Sequence, residues 1–207
     1  MKILITAGPT CEDIDPIRFL TNRSSGRLGY AIAAEAARRG HNVVLVSGPT
    51  NLDPPPEVRT VNVRSAADML AASVKAFGDC RVAVLVAAVA DFKPAEYSPA
   101  KIKKDGAELV LRLVATDDVA KRLGEMKTDQ FIVGFALETG DGRDAAHTKR
   151  RDKNMDAIVL NDPKTLGADE ISAEILADAA PWDGARQMSK AEFAVRVLDF
   201  IERCTSA

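Results

Sequence analysis

The chain has 207 residues, 46% hydrophobic and 28% charged, which is material for one large domain with a core that needs no staples. A formal net charge of −2 excludes the broad basic field of a nucleic-acid binder, so any cationic function must be local. Cys11, Cys80 and Cys204 stand far apart in no ligand spacing, which excludes a disulfide scaffold and a zinc knuckle and suits a reducing cytosol. Met1-Lys2 leads directly into the first apolar run, with no signal peptide, and the longest such run, Val82 to Ala90, is too short to cross a bilayer.

In chain order, the candidate strands are 2–6, 42–47, 59–63, 81–86, 131–135 and 157–160. Most are unbroken Val, Ile and Leu runs, as expected for strands covered on both faces. Between them lie candidate helices over 26–39, 66–77, 117–126 and 143–154. Ser24 or Ser25 is expected to cap the first, Ser65 the second and Thr116 the third, and Gly40 to end the first. Residues 108–114 alternate and read as an edge strand. Residues 171–176 are ambiguous by periodicity. The turn residues Pro181-Trp-Asp-Gly184 favour a hairpin there, followed by a helix over 189–204. The sum is one domain over 1–207: a three-layer α/β/α, Rossmann-like fold with a mostly parallel central sheet and a C-terminal hairpin plus helix.

Ligands of such sheets bind beyond the carboxyl ends of the strands. That directs attention to the loops 7–25, 47–57, 87–106, 136–141 and 161–167. The first is the most informative. A plain strand-to-helix connection needs about two to six residues, and this one is far longer, carrying Arg18, Asn22, Arg23, Ser24, Ser25 and Gly26. A helix opening on Ser-Ser-Gly offers free N–H groups to an anion, although the serines are also what an ordinary N-cap uses. Asp15-Pro16 with Arg18 reads equally as a structural turn or as a ligand contact. In the third loop, small residues at Ala87 and Ala88 admit a flat ring, and Asp91 can accept from a ligand hydroxyl or help hold a divalent cation. Lys101, Lys103 and Lys104 suit a flap over a polyphosphate, or a solvated surface. Lys149 and Lys153 share one helical face, where cations also favour a helix C-terminus. Phe135-Ala-Leu-Glu138, at the end of the preceding strand, can supply an apolar wall and a carboxylate, although Phe135 also reads as core.

Other chemistries fall away. Gly26-Arg-Leu-Gly29 is not the dinucleotide fingerprint, and the second strand ends at Ser47-Gly48-Pro49 without a ribose-binding acid, which weighs against an NAD(P)-dependent reductase. There is no P-loop, and His41 and His147 have no metal or triad pattern. What remains is a donor-rich site with few nucleophiles, suited to electrostatic handling of phosphates and a carboxylate.

Taken together, Ile5-Thr-Ala-Gly-Pro-Thr10, Asp15-Pro-Ile-Arg18, Asn22-Arg-Ser-Ser-Gly26, Ala87-Ala-Val-Ala-Asp91, Lys101-Ile-Lys-Lys104 and Gly134-Phe-Ala-Leu-Glu-Thr139, with Lys149 and Lys153-Asn154, resemble phosphopantothenoylcysteine synthetase over nearly the whole chain. In many bacteria that enzyme is half of a bifunctional coenzyme A biosynthesis flavoprotein. The resemblance implies a ligase. It activates 4′-phosphopantothenate with CTP as an acyl-cytidylate, releases pyrophosphate, and then forms an amide with L-cysteine while CMP leaves. It implies that Asn22 holds the activated carboxyl group and that Lys101 is a flap lysine acting on the phosphates. Ala87, Asp91, Phe135, Lys149 and Lys153 match nucleotide-site positions, as does Asp117-Asp118-Val119-Ala120. There, Thr-Asp-Asp-Val replaces the usual Asn-Pro-Asp-Ile, while Thr21 and Arg27 replace a usual Ser and Lys. Arg18, Ser24, Ser25 and Gly26 are expected near the acid substrate. The resemblance further implies a cytoplasmic homodimer that uses Mg2+, with ligands not assignable from sequence. A separate decarboxylase is a candidate partner, and no flavin is expected on this chain. The choice of CTP over ATP rests on the likeness to bacterial members. A regulatory domain that merely kept the fold would be expected to have lost Asn22 or the lysines, and all are present.

Overall fold

The computed structural model describes all residues except 107, 139, 166, 178–181 and 207. Five helices and twelve strands are present among the described residues, and eight of the strands form one sheet. The strands β1 (Lys2–Ala7), β4 (Asn42–Ser47), β5 (Arg59–Asn62), β6 (Val82–Leu85), β9 (Phe131–Leu137) and β10 (Ala157–Asn161) run parallel. From one edge the parallel strands stand in the order β5-β4-β1-β6-β9-β10. The chain starts at the centre, builds outward through β4 and β5, then returns to build the other side from β6. The gap between the ends of β1 and β6 is therefore the switch point, where open α/β sheets bind ligands. The antiparallel hairpin of β11 (Glu170–Ala177) and β12 (Arg186–Ser189) completes the β10 edge, as the sequence led us to expect. Of its expected turn, Pro181 lies outside the described residues, and Gly184 has a φ of 83°.

Strand parity sorts the core. Ile3, Ile5, Val43, Leu45, Val82 and Val84 point to the face covered by α1 (Arg27–Arg38) and α5 (Lys190–Thr205). Leu4, Val44, Val46, Ala83, Leu85 and Ile132 point to the opposite face. There they meet α2 (Ala66–Phe77) and α3 (Val119–Met126) through Met69, Phe77 and Leu123, while α4 (Arg143–Asp152) covers Ile158 through Ala146. Burying each such aliphatic side chain contributes about 1.5–3 kcal/mol, against about 1 kcal/mol for a helix cap, so the two-sided sheet carries the stability.

The helix starts differ from the sequence expectation in two places. Neither Ser24 nor Ser25 caps α1. The N-cap is Gly26, in the left-handed region at φ 77° and without a side-chain cap. A Cβ there would also lie 2.7 Å from Thr50 Cγ2, so glycine is required twice over. Asp118 rather than Thr116 caps α3, accepting from Lys121 N–H at 3.0 Å, because the chain stays extended through Thr116 to pair with Asp91. Ser65 caps α2 as expected, and Ser189 caps α5, each in a reciprocal capping box, with Asp68 and Glu192 respectively. Gly40 closes α1 with φ 80°.

The expected edge strand over 108–114 is corrected. Only β8 (Leu113–Ala115) is extended and paired, and it pairs with β7 (Phe92–Pro94) in a separate two-stranded ribbon. Leu109 and Val110 are exposed, so that stretch has no core face to hold it against the main sheet. A second ribbon, β2 (Cys11–Asp13) with β3 (Phe19–Thr21), occupies the long first loop and was not foreseen. All three cysteines are free, and among the described residues no helix is long and apolar enough to cross a membrane.

Candidate active site

A cleft of about 670 Å3 opens at the β1/β6 switch point. Its floor is made by stitching the loop after β6 to the loop after β1. Thr6 Oγ1 accepts from Ala87 N–H at 3.2 Å, the Gly8 carbonyl from Ala88 N–H at 2.9 Å, and Thr10 Oγ1 from Ala90 N–H at 2.9 Å. This explains the two threonines in Ile5-Thr-Ala-Gly-Pro-Thr10. Their hydroxyls accept from backbone groups that have left the sheet ladder and would otherwise lack partners. Asn22 crosses the same gap, its Nδ2 donating to the carbonyls of Ala88 and Val89, both at 3.0 Å. Carbonyls only accept, so the nitrogen must face them and Oδ1 is turned the other way. Both amide hydrogens are spent in this state.

The opposite wall comes from α3, α4 and the end of β9. Lys149 Nζ donates to the Phe135 carbonyl at 2.8 Å, and Lys153 Nζ lies 2.6 Å from Asp118 Oδ2. Burial, followed by the neighbouring Lys153 charge, holds the Lys149 ammonium below its ordinary range. Burial would raise the Asp118 carboxyl, but the Lys153 contact and the Lys121 N–H outweigh it and hold it below the usual carboxylate value. The Phe135 ring is half-buried, meeting Phe193 edge-on at 6.4 Å while also lining the cleft, so both readings of it hold.

Thus the cleft gathers Asn22, Ser24, Ser25, Gly26, Ala87, Asp91, Asp117, Asp118, Val119, Ala120, Phe135, Lys149 and Lys153. Two expected residues stand elsewhere. Arg18 pairs with Asp15 at 3.2 Å and donates to the Ile102 carbonyl, while Asp15 Oδ2 accepts from Ile102 N–H at 3.1 Å. Arg18 is therefore a clamp on the lysine-rich segment and does not line this chain's cleft, and Asp15 and Arg18 form a hydrogen-bonded turn. Lys101, next to the clamped Ile102, is exposed and does not line this chain's cleft. The loop 47–57 adds no wall either; its Thr50 packs beneath Gly26.

A model of the DNA/pantothenate metabolism flavoprotein C-terminal domain matches residues 1–204. The chain belongs to that family. Within this flavoprotein C-terminal domain family, the chain is 46% identical over 167 residues to the coenzyme A biosynthesis bifunctional protein CoaBC of Bacillus subtilis, covering 80% of this chain and 41% of that one. It is 50% identical over 169 residues to a cysteine/cysteine sulfinic acid decarboxylase from an unknown prokaryotic organism, covering 81% and 47%. A crystal structure of the C-terminal domain of CoaBC superposes with a TM-score of 0.87 at 41% identity, covering 99% of this chain and 95% of that one. The chain spans about half the length of the curated relatives it matches. The resemblance to the synthetase half of CoaBC drawn from the motifs holds at the level of family and fold.

Some lining residues of this family member escaped the sequence reading. These are Asn161, Ile171 and Lys190, which face the cleft along with the Glu138 carboxylate that the Gly134–Thr139 motif had offered. Ile171 and Lys190 belong to the hairpin and the C-terminal helix, remote in sequence from every motif. Lys190 directly follows the capping serine of α5, and that was its one available signal. Of the motif Gly134–Thr139, Thr139 lies outside the described residues.

Proposed function

We propose that this chain is a phosphopantothenate–cysteine ligase working as a single synthetase domain. The observation that carries the reading is the cleft at the β1/β6 switch point, where Asn22 faces the nucleotide-type wall of Ala87, Asp91, Phe135, Lys149 and Lys153. An acid and an amine do not condense in water, because hydroxide is a poor leaving group. Here the carboxylate of 4′-phosphopantothenate attacks the α-phosphorus of CTP, and pyrophosphate leaves with the bonding electron pair. The acyl carbon, now bonded to a cytidylate, accepts the amine of L-cysteine, loses CMP, and becomes an amide as the nitrogen gives up a proton.

The residues take matching roles. Ala87 and Phe135 bound a flat slot for the base, and Asp91 suits a ribose hydroxyl. Lys149 and Lys153 close the wall, each already held by a protein oxygen. Ser24, Ser25 and Gly26 border the acid substrate. Asn22 is placed to serve the acyl centre. An ionised oxygen makes hydrogen bonds about twice as strong as a peptide carbonyl does, so the oxyanion formed on amine addition would draw an Asn22 hydrogen away from Ala88 or Val89. Losing one such donor typically costs about 10²–10³ in rate. Lys101 comes over the phosphates when its segment, tethered at Ile102, folds down.

Among the described residues no group of three potential metal ligands is present. Mg2+ is normally held by substrate phosphates with one or two carboxylates and water, and Asp91 is the side chain placed to serve it. Bound there, it would neutralise phosphate charge. We infer a homodimer, because Ile17, Phe19 and Phe92 leave large apolar surface exposed around the two small ribbons. A separate decarboxylase as partner and a cytoplasmic setting accompany the ligase reading. The test is to incubate the protein with 4′-phosphopantothenate, CTP, Mg2+ and L-cysteine. Formation of the amide with one CMP and one pyrophosphate per turnover is expected, and the absence of amide product would refute the reading.

A further inference from the structure

The loop after β4 lines no part of the cleft, yet it is built tightly against the loop that does. A Cβ on Gly48 would fall 1.7 Å from the Pro9 carbonyl oxygen, so the two backbones meet with no side chain between them. Two residues later comes Thr50. Its Cγ2 would lie 3.0 Å from a Cβ on Gly8 and 2.7 Å from one on Gly26, so this methyl group is the surface on which both glycines rest. Gly26 opens α1 at φ 77°, and its N–H donates to Ser24 Oγ at 3.3 Å. The turn that rests on Thr50 therefore reaches within two residues of Asn22.

A threonine carries a methyl and a hydroxyl on one carbon, and a particular χ1 rotamer is needed to put the methyl under the glycines. Hydrogen bonds select it. Ser47 Oγ has a single hydrogen and donates it to the Gly48 carbonyl at 2.9 Å. Ser47 must then accept from the Tyr30 hydroxyl, 3.0 Å away, and Tyr30 in turn accepts from Thr50 Oγ1 at 3.2 Å. The relay runs one way, from Thr50 through Tyr30 and Ser47 to Gly48. Tyr30 and Ser47 are only 8% and 1% exposed, which keeps water from competing for these bonds. Both ends of the relay, Thr50 and Gly48, are the residues that touch the first loop.

We propose that Tyr30 and Ser47 are positioning residues: they orient Thr50 so that its methyl props the Gly8–Gly26 turn and holds Asn22 at the floor of the cleft. For its effect on rate the proposal rests on the ligase reading. A misplacement of about 1 Å at a reacting centre can cost about 10²-fold in rate. The nucleotide wall lies across the cleft from this turn, so CTP binding is spared. The signature is a fall in kcat with the KM for CTP retained.

The test compares Tyr30→Phe, Thr50→Ser and the double variant Tyr30→Phe/Thr50→Val. Tyr30→Phe keeps the ring and breaks the relay, whereas Thr50→Ser keeps the relay and removes the methyl. Each is expected to lower kcat for amide formation about 10-fold with the KM for CTP within about twofold. Valine has the shape of threonine with a methyl in place of the hydroxyl, so it offers the prop without the relay. The double variant should return to within about twofold of the wild-type kcat, although no hydrogen bond is restored. A merely structural relay would leave it no faster than Tyr30→Phe. Hydrogen exchange of the N–H groups of residues 22–29, read without substrates, should quicken in Tyr30→Phe and recover in the double variant. That exchange pattern in a protein that forms no amide would keep the prop and remove the ligase reading. Unchanged kcat and exchange in Tyr30→Phe and Thr50→Ser, or a double variant no faster than Tyr30→Phe, overturns the proposal.

Discussion

The side-chain amide of Asn22 donates to the carbonyl of Ala88 across 3.0 Å, bridging the first and third loops at the switch point of the sheet. The same amide nitrogen reaches Val89. This one residue therefore fixes the floor of the cleft, and its amide hydrogens would serve an oxyanion only by exchange from these two carbonyls. Asn22→Asp removes both donors and sets a carboxylate against two carbonyls and an anionic substrate. Amide formation is expected to fall by at least about 10²-fold while CTP affinity stays within a few-fold, as read by product assay and calorimetry on the same preparation. Near-normal turnover would take Asn22 out of the mechanism.

The clamp on Ile102 gives a second test. Asp15 is buried and accepts N–H groups of Ile17, Arg18 and Ile102, while Arg18 donates back to the Ile102 carbonyl. If this clamp positions Lys101, Arg18→Ala should slow pyrophosphate release about tenfold, and Lys101→Gln about 10²-fold. The double variant should then be no slower than Lys101→Gln alone. Additive losses would mean that Arg18 acts independently of the lysine segment.

Acid stability follows from Glu35. Hydrogen bonds from Arg38, followed by those from Arg39, overcome burial and lower its carboxyl from an ordinary 4.5 to about 2. A carboxyl depressed in the folded state stabilises fully above its unfolded value, and that contribution is lost as the pH falls through the folded one. The melting temperature should therefore drop between about pH 5 and about pH 2. Glu35→Gln should lower it at neutral pH and flatten that part of the profile. An unchanged slope in the variant would assign the acid sensitivity to other carboxylates.

Much of the fold was legible because the main strands carry apolar residues on both faces, and only a doubly covered parallel sheet explains that pattern. The cleft was partly legible for the same reason: strand ends fix where ligands bind, and Asn22, Ala87 and Asp91 lie at those ends. Cap positions misled where tertiary contacts decided them. Ser24 and Ser25 have the chemistry of a cap, yet the left-handed turn over Thr50 admits only Gly26. Arg18 and Lys101 look like cleft cations in sequence. Their placement depends on a buried Asp15 reaching a segment 87 residues away, a pairing that no local pattern encodes. Lys190 was invisible because the C-terminal helix returns to the cleft only through the long-range packing of α5 against α1.

The most direct measurement withholds L-cysteine. The protein is mixed rapidly with CTP, Mg2+ and 4′-phosphopantothenate, quenched, and assayed for pyrophosphate, CMP and acyl-cytidylate. A burst of one pyrophosphate per active site is expected, with an equal amount of acyl-cytidylate and no CMP until cysteine is added. Pyrophosphate release that waits for cysteine, or that occurs with no acyl-cytidylate formed, would contradict it.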